Sequence, residues 1–272
     1  MAVYAPTRAD LRQELARMMQ DAWASTTTSV GTSTTAIDTM LTQANNFWRN
    51  AWFLPTSGTY SGTEKQVSSS TLSTNTLTVG PAYAGALASG ITYELFKRFS
   101  AAVYQEALNQ AIREVGSVAL VDKVDVSLTL AANTWEYTLP SGFRYIRRMS
   151  YLNGTTDDTR VFLAPDQDWY IRFASTRKIV FGGSLNFPAN TLMIEGQSAP
   201  AEMTLDATTC PVQPNYLLAY GKFYLHSILA GSDDDEASYH ERQMLIWEKQ
   251  YEKRKADMSA HVYPGSKSIE PF

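Results

Sequence analysis

The chain has 272 residues, 44% hydrophobic and 18% charged, with a formal net charge of −4, enough length to bury a sizeable core as one large domain or two modest ones. A chain-wide basic footprint for gripping nucleic acid is absent. The single cysteine, Cys210, excludes an intramolecular disulfide, and no stretch nears the ~20 apolar residues of a membrane span.

In chain order, Thr7 is placed to cap a first helix, with Asp10 as its capping-box partner. Leu11, Leu15, Met18 and Ala22 recur at helical spacing, with Met19 and Trp23 beside them, and predict a helix from about Arg8 to about Ala24. The Ser/Thr run 25–35 offers hydroxyls that compete for backbone groups and reads as a loop. Thr34 or Thr35 then opens a second predicted helix carrying Ile37, Met40, Leu41, Ala44, Phe47, Trp48 and Ala51, which stops before Pro55. Residues 57–80, punctuated by Gly58 and Gly62, read as a β-hairpin or small sheet. Residues 91–96 read as extended. Ser100 opens a strong helix through Val115, closed by Gly116.

From Val121 to about Met203 the hydrophobic period approaches two. Val124, Val126, Leu128 and Leu130 alternate with Asp125, Ser127 and Thr129. Further strand candidates at 135–139, 145–151, 160–163, 171–173, 178–181 and 191–195 are separated by turn signals such as Pro140-Ser141-Gly142, which suggests a compact antiparallel sandwich or barrel. Pro214 suits the first position of another helix. Asp233–Glu236 begins the last helix, and Lys249, Lys253, Arg254 and Lys255 lie near its end, matching the helix dipole. Ala237, His240, Met244, Trp247, Tyr251, Arg254 and Met258 step alternately by three and four. That spacing predicts a helix–helix seam, read here as a subunit seam through Met244, Trp247, Tyr251 and Met258. Residues 259–272 carry Pro264, Gly265 and Pro271, which oppose helix, and could reach about 45 Å fully extended. The expected architecture is α+β: a helical bundle with an inserted antiparallel β domain, sandwich- or barrel-like, then a long C-terminal helix and an extended tail. Its parts are N-terminal helices with a hairpin (1–120), the β domain (121–204), C-terminal helices packed on the N-terminal ones (205–258) and an extended arm (259–272).

Motifs that carry chemistry do not occur. There is no GxxxxGK[ST] phosphate loop and no GxSxG nucleophile elbow. His226, His240 and His261 stand far apart and outside any HExxH-type pattern. The run Asp233–Glu236 lacks the alternate spacing of a calcium loop, and Cys210 has no electropositive neighbours in sequence to activate it. No catalytic residue, metal ligand or cofactor is therefore expected. Asp166 and Asp168, as paired carboxylates, are the candidates for a glycan-active enzyme. Separation by one residue does not itself set the spacing that glycoside hydrolysis needs.

Three stretches carry a family likeness. They are Ser100–Gly116 (SAAVYQEALNQAIREVG), Thr138–Phe143 (TLPSGF) with the later strand Lys178–Phe181, and Pro211–Met258, a proline-led helix followed by an acid-started one. Together they resemble the head-to-tail adaptor, or neck, proteins of tailed bacteriophages, including the tail tubular protein A type, over roughly residues 90–258. The resemblance implies a structural virion protein made in the host bacterial cytoplasm. It implies a dodecameric homo-oligomeric ring below the portal protein, meeting a tail, nozzle or tail-terminator protein on its other side. Passing DNA would cross its channel without sequence-specific binding, and no membrane would be involved. In such adaptors a C-terminal segment commonly reaches into the portal. That would make residues 259–272 a docking arm with Val262, Tyr263, Pro264, Ile269 and Phe272 as its anchors. A tail or baseplate β protein binding host glycan through Trp135, Trp169 and Tyr170 is the alternative.

Overall fold

The structure is a computed structural model, and it describes residues 5–152, 160–173, 175–182, 190–231, 236–258 and 266–269. The chain is α+β and divides into two compact units. The first comprises Met1–Ile112 and Glu202–Arg254, the second Arg113–Ala201 and Lys255–Phe272.

In the first unit, helix α1 (Arg8–Met18) opens on the expected capping box: Thr7 accepts from the Asp10 backbone and Asp10 accepts from the Thr7 backbone. The helix ends at Met18, six residues short of the predicted end near Ala24. Gln20 takes a left-handed φ of 56°, and the buried Asp21 is committed elsewhere. Its carboxylate accepts the backbone N–H groups of Lys97, Arg98 and Phe99 at 2.6, 2.8 and 3.1 Å and the Tyr104 hydroxyl at 2.7 Å. A buried carboxylate left without such donors is costly, so the chain turns here and Ala22–Thr26 becomes strand β1.

The helix expected at 35–51 is absent. Strand β2 (Thr35–Ile37) is followed by turns and then by β3 (Trp52–Pro55). Asn46 and Asn50 have φ of 61° and 67°, outside any right-handed helix, and their N–H groups reach Ser70 and Val67 carbonyls at 2.7 and 2.8 Å. Leu41, Trp48 and Ala51 still reach the core, so a folded loop satisfies the same apolar positions that mimic a helical face.

Strands β4 (Lys65–Thr71), β5 (Thr76–Gly80) and β6 (Thr92–Phe96) complete a six-stranded sheet of order β1-β6-β3-β4-β5-β2. Every pairing in it is antiparallel. Its edges meet only at an isolated Ser29–Ile37 bridge, so no closed barrel forms. This sheet, with Phe53, Val67, Leu77, Leu87, Tyr93 and Leu95 in its core, replaces the expected helical bundle as the organising element. Helix α2 (Ala101–Val115) starts where the Glu64 carboxylate accepts the Ala101 N–H at 2.7 Å; burial raises that carboxyl above its usual range.

Helix α3 (Pro214–Ala230) has the expected proline in its first turn and packs on α1, with Gly221 against Leu15. Beside this contact lies a buried ionic cluster. Arg12, fully buried, donates to Glu94 at 2.9 Å and to Asp206 at 2.7 Å; Arg8 also holds Asp206, at 2.8 Å. Burial alone would raise the Asp206 carboxyl, but the two guanidinium groups outweigh it and hold the group below the usual carboxylate range.

The second unit holds β7 (Val121–Thr129), β8 (Glu136–Thr138), β9 (Tyr145–Leu152), β10 (Arg160–Leu163), β11 (Trp169–Arg172), β12 (Lys178–Phe181), β13 (Thr191–Ser198) and β14 (Lys267–Ser268). One sheet runs β10-β9-β13-β7 with β14 added on β9, and a second runs β11-β12-β8. Phe143 from the loop before β9 and Ile146, Met149, Trp169, Ile179, Leu192 and Ile194 from the two sheets share one core. Neither sheet closes into a barrel.

Gly196 lies where β13 crosses β9 with a register shift. An added Cβ would fall onto the Tyr145 carbonyl oxygen and 2.9 Å from Phe143 Cδ1. Backbone cannot yield as a side-chain end can, so Gly196→Ala is expected to destabilise this unit by about 2 kcal/mol. Thermal unfolding followed at Trp169 measures it, and an unchanged midpoint would contradict the crowding.

Candidate interaction surfaces

Helix α4 (Ala237–Asp257) decides what the C-terminal helices present. Its three-and-four stepping face packs on α3 of the same chain. Tyr251 is buried, with its ring 5.0 Å from those of Tyr220 and Phe223. Trp247 is half-buried beneath the Lys222 ammonium, 4.0 Å above its ring. Met244 and Met258 are half-buried. The heptad-like spacing therefore marks, at Trp247 and Tyr251, a contact with α3 of the same chain.

At the same seam the imidazoles of His226 and His240 meet, Nδ1 to Nδ1 at 3.0 Å, both rings buried. One nitrogen must carry a proton and the other must accept it; two N–H groups pointing at each other would repel. Burial first, then His240, Lys222 and Arg98, push His226 down to about 4. The Glu236 carboxylate lies 3.6 Å from His240 Nε2 and 3.5 Å from the Arg98 guanidinium. Burial also lowers the Lys222 ammonium. These groups line a cavity of about 400 Å³ with Gln20, Tyr239 and Gln243. Among the described residues, no group of three or more His, Cys, Asp and Glu could hold a metal ion.

The other side of α4 carries exposed apolar residues. Tyr239, Leu245 and Ile246 are 54%, 51% and 47% exposed, among the exposed Glu241, Arg242, Lys249, Glu252 and Lys253. Apolar anchors ringed by charges of both signs have the composition of an interface centre and its rim. The basic cluster near the helix end is partly spent within the chain: Arg254 donates to the Asn215 carbonyl and Lys255 pairs with Glu114 at 2.5 Å.

In the second unit, Val124, Val126 and Phe162 are each more than half exposed. The two valines reverse the reading of the alternating run 124–130. β7 carries one residue more than β13 between the pairs Asp125–Ile194 and Leu128–Leu192. Asp125 accepts both the N–H and the hydroxyl of Ser127, at 2.9 and 2.6 Å, within that bulge. An extra residue flips the parity of a strand, so Leu130 is buried while Val124 and Val126 face solvent. The Arg148 guanidinium sits 5.3 Å over the Phe162 ring and pairs with Glu195.

Trp169, a sugar platform only in the alternative reading, is 1% exposed, and its indole N–H donates to the Leu163 carbonyl at 3.3 Å. It is a core residue. Trp135 and Tyr170 remain partly exposed. Asp166 and Asp168 occupy one turn: Asp166 has φ of 64° and receives Lys267, and Asp168 accepts the Ala164 N–H at 2.6 Å. The half-buried Cys210 donates to the Val212 carbonyl, and burial pushes its thiol up.

Of the expected docking arm, Val262, Tyr263, Pro264 and Phe272 lie outside the described residues, as do Asp233–Asp235 and His261. Ile269 is fully buried in the core of its own β unit.

No described helix is long and apolar enough to cross a membrane. Residues 6–266 match the family model described as SU10 adaptor protein. No curated protein matches the chain.

Proposed function

Because the chain belongs to the SU10 adaptor protein family, a family of phage structural adaptors, we propose that copies of it form a closed ring in the virion neck. The ring sits below the portal protein, joins head to tail and continues the DNA channel as a non-catalytic part. The match over nearly the whole chain carries this reading. The exposed apolar residues of α4, Tyr239, Leu245 and Ile246, support it by supplying an outward contact surface once the stepping face is spent on α3. The low net charge of −4 suits a channel that passes DNA without gripping it, since like charge discourages sticking.

Particle images and mass measurement of the purified chain, alone and mixed with portal protein, test this. A closed ring, twelve-fold by the family likeness, is the expected result. The double variant Leu245→Glu/Ile246→Glu should keep its fold and lose assembly at least tenfold in concentration dependence. A chain that stays monomeric at all concentrations, with and without portal, overturns the ring. Docking of a form lacking residues 259–272 as tightly as the full chain would remove the arm from this reading while leaving the ring.

A further inference from the structure

The C-terminal strand β14 is an added piece in the architecture of the second unit. On one edge of β9, β13 runs along residues 145–151. On the other edge β10 covers only Met149–Leu152. The backbone of Tyr145 and Ile146 is therefore left open there, and β14 fills it, with Lys267 opposite Ile146 and Ser268 opposite Tyr145.

The next residue completes the fit. The Ile269 N–H donates to the Arg144 carbonyl at 2.9 Å, and its side chain is fully buried in the core shared by Phe143, Ile146 and Trp169. Lys267 pairs with Asp166 and lies 5.6 Å over the Trp169 ring. The socket thus has an open strand edge, an apolar hole and an acid at its rim. The plug has the matching backbone, isoleucine and lysine.

We propose that this socket accepts residues 266–269 of a neighbouring copy, so that the plug is exchanged between subunits when the protein assembles. This rests on the ring reading above. The occupant is a second copy of this chain because the plug already seated shows what the socket recognises, and every copy carries the same four residues. Exchange leaves each contact unchanged, so linker reach and local concentration decide between the closed and exchanged forms. Residues 259–265 join the plug to α4 and span at most about 25 Å when extended. Free chains at low concentration keep their own plug; subunits held side by side exchange it.

Cysteine pairs read this directly. In a Cys210→Ser background, a chain carrying both Tyr145→Cys and Ser268→Cys should cross-link within itself when monomeric. When chains with only Tyr145→Cys are mixed in equal amounts with chains with only Ser268→Cys and assembled, a bond between copies is expected in up to about half of the subunits, the random-mixing limit. Cross-links confined within copies in the assembled fraction, with none between the mixed single variants, overturn the exchange alone. Failure to exceed monomer mass overturns the ring and the exchange together. Ile269→Asp provides a measurement independent of disulfide geometry. Exchange predicts at least a tenfold rise in the concentration needed for assembly with the first unit still folded, and an unchanged value contradicts it.

Discussion

Arg12→Met is expected to lower the unfolding free energy of the unit that contains it by about 3–5 kcal/mol, the range for breaking one side of a buried ion pair. The Arg12 side chain is fully buried and that of Glu94 is 3% exposed. The guanidinium supplies two of the three donors that reach the Glu94 carboxylate. Gln13, at 2.7 Å, is the third. With Arg12 gone, Glu94 is left buried and under-bonded, while Asp206 keeps Arg8. The loss therefore comes mainly from Glu94. Arg12→Met/Glu94→Gln should recover more than half of it, because the stranded charge is removed with its partner. Urea unfolding of the single and double variants, with hydrogen exchange followed in α1 and β6, checks both steps. A loss below 1 kcal/mol for Arg12→Met would mean that water reaches Glu94 and the pair is not truly buried.

The second large effect is a dependence on pH. His226 is pushed down to about 4 in the folded chain, against about 6.5 in an unfolded one. Between those values the unfolded chain binds a proton that the folded chain refuses, so stability rises with pH across that window. Above pH 6.5 this histidine contributes no pH dependence; on acidification toward pH 4 the fold loses on the order of 3 kcal/mol. The groups facing the pair act in both directions: Lys222 and Arg98 oppose a further positive charge, and Glu236 favours one.

Asp206 has the opposite chemistry and a separate window. Its lowered carboxyl contributes stability above its ordinary value of 3.8, lost only below that pH. The two losses are therefore sequential, and His226→Gln should flatten the first and leave the second. Denaturant titrations at half-unit steps from about pH 7.5 to about pH 2 resolve them. A slope between pH 6.5 and 4 that survives His226→Gln would assign it to another group.

The legible parts of the chain were those where local chemistry and tertiary packing agree. The Thr7/Asp10 box, Pro214, the helix at 101–115 and the strands 160–163 and 178–181 stand where caps, turns and periodicity put them. The failures share one cause: apolar spacing does not report what the polar residues between are doing. Asp38 and Asp21 are buried acceptors with partners distant in sequence, Tyr93 for one and Tyr104 for the other, and serving them breaks the helical runs around them. In β7 a single extra residue turned two valines outward, which no count of alternation registers. For the candidate surface, the stepping face of α4 was visible as a seam, but spacing alone is silent on whether the partner is α3 or another subunit. Of the exposed residues Tyr239, Leu245 and Ile246, only the first and last share a helical line, and the set became visible only as exposure. Ile269 read as a free anchor because its socket is built more than a hundred residues earlier in the chain.

Each unit is made of two separated stretches of chain, 1–112 with 202–254 and 113–201 with 255–272. The stretches interleave, which gives the ribosome an unusual schedule. Arg12 and Glu94 can meet early in synthesis, but Asp206 arrives only after the bulk of the β unit has emerged. That β unit in turn waits for Ile269 to fill its core. Neither unit can finish while translation is in progress past the other, so a chain arrested before residue 202 holds two incomplete cores with apolar faces open to chaperones and proteases. Chains cut short are thereby marked for removal.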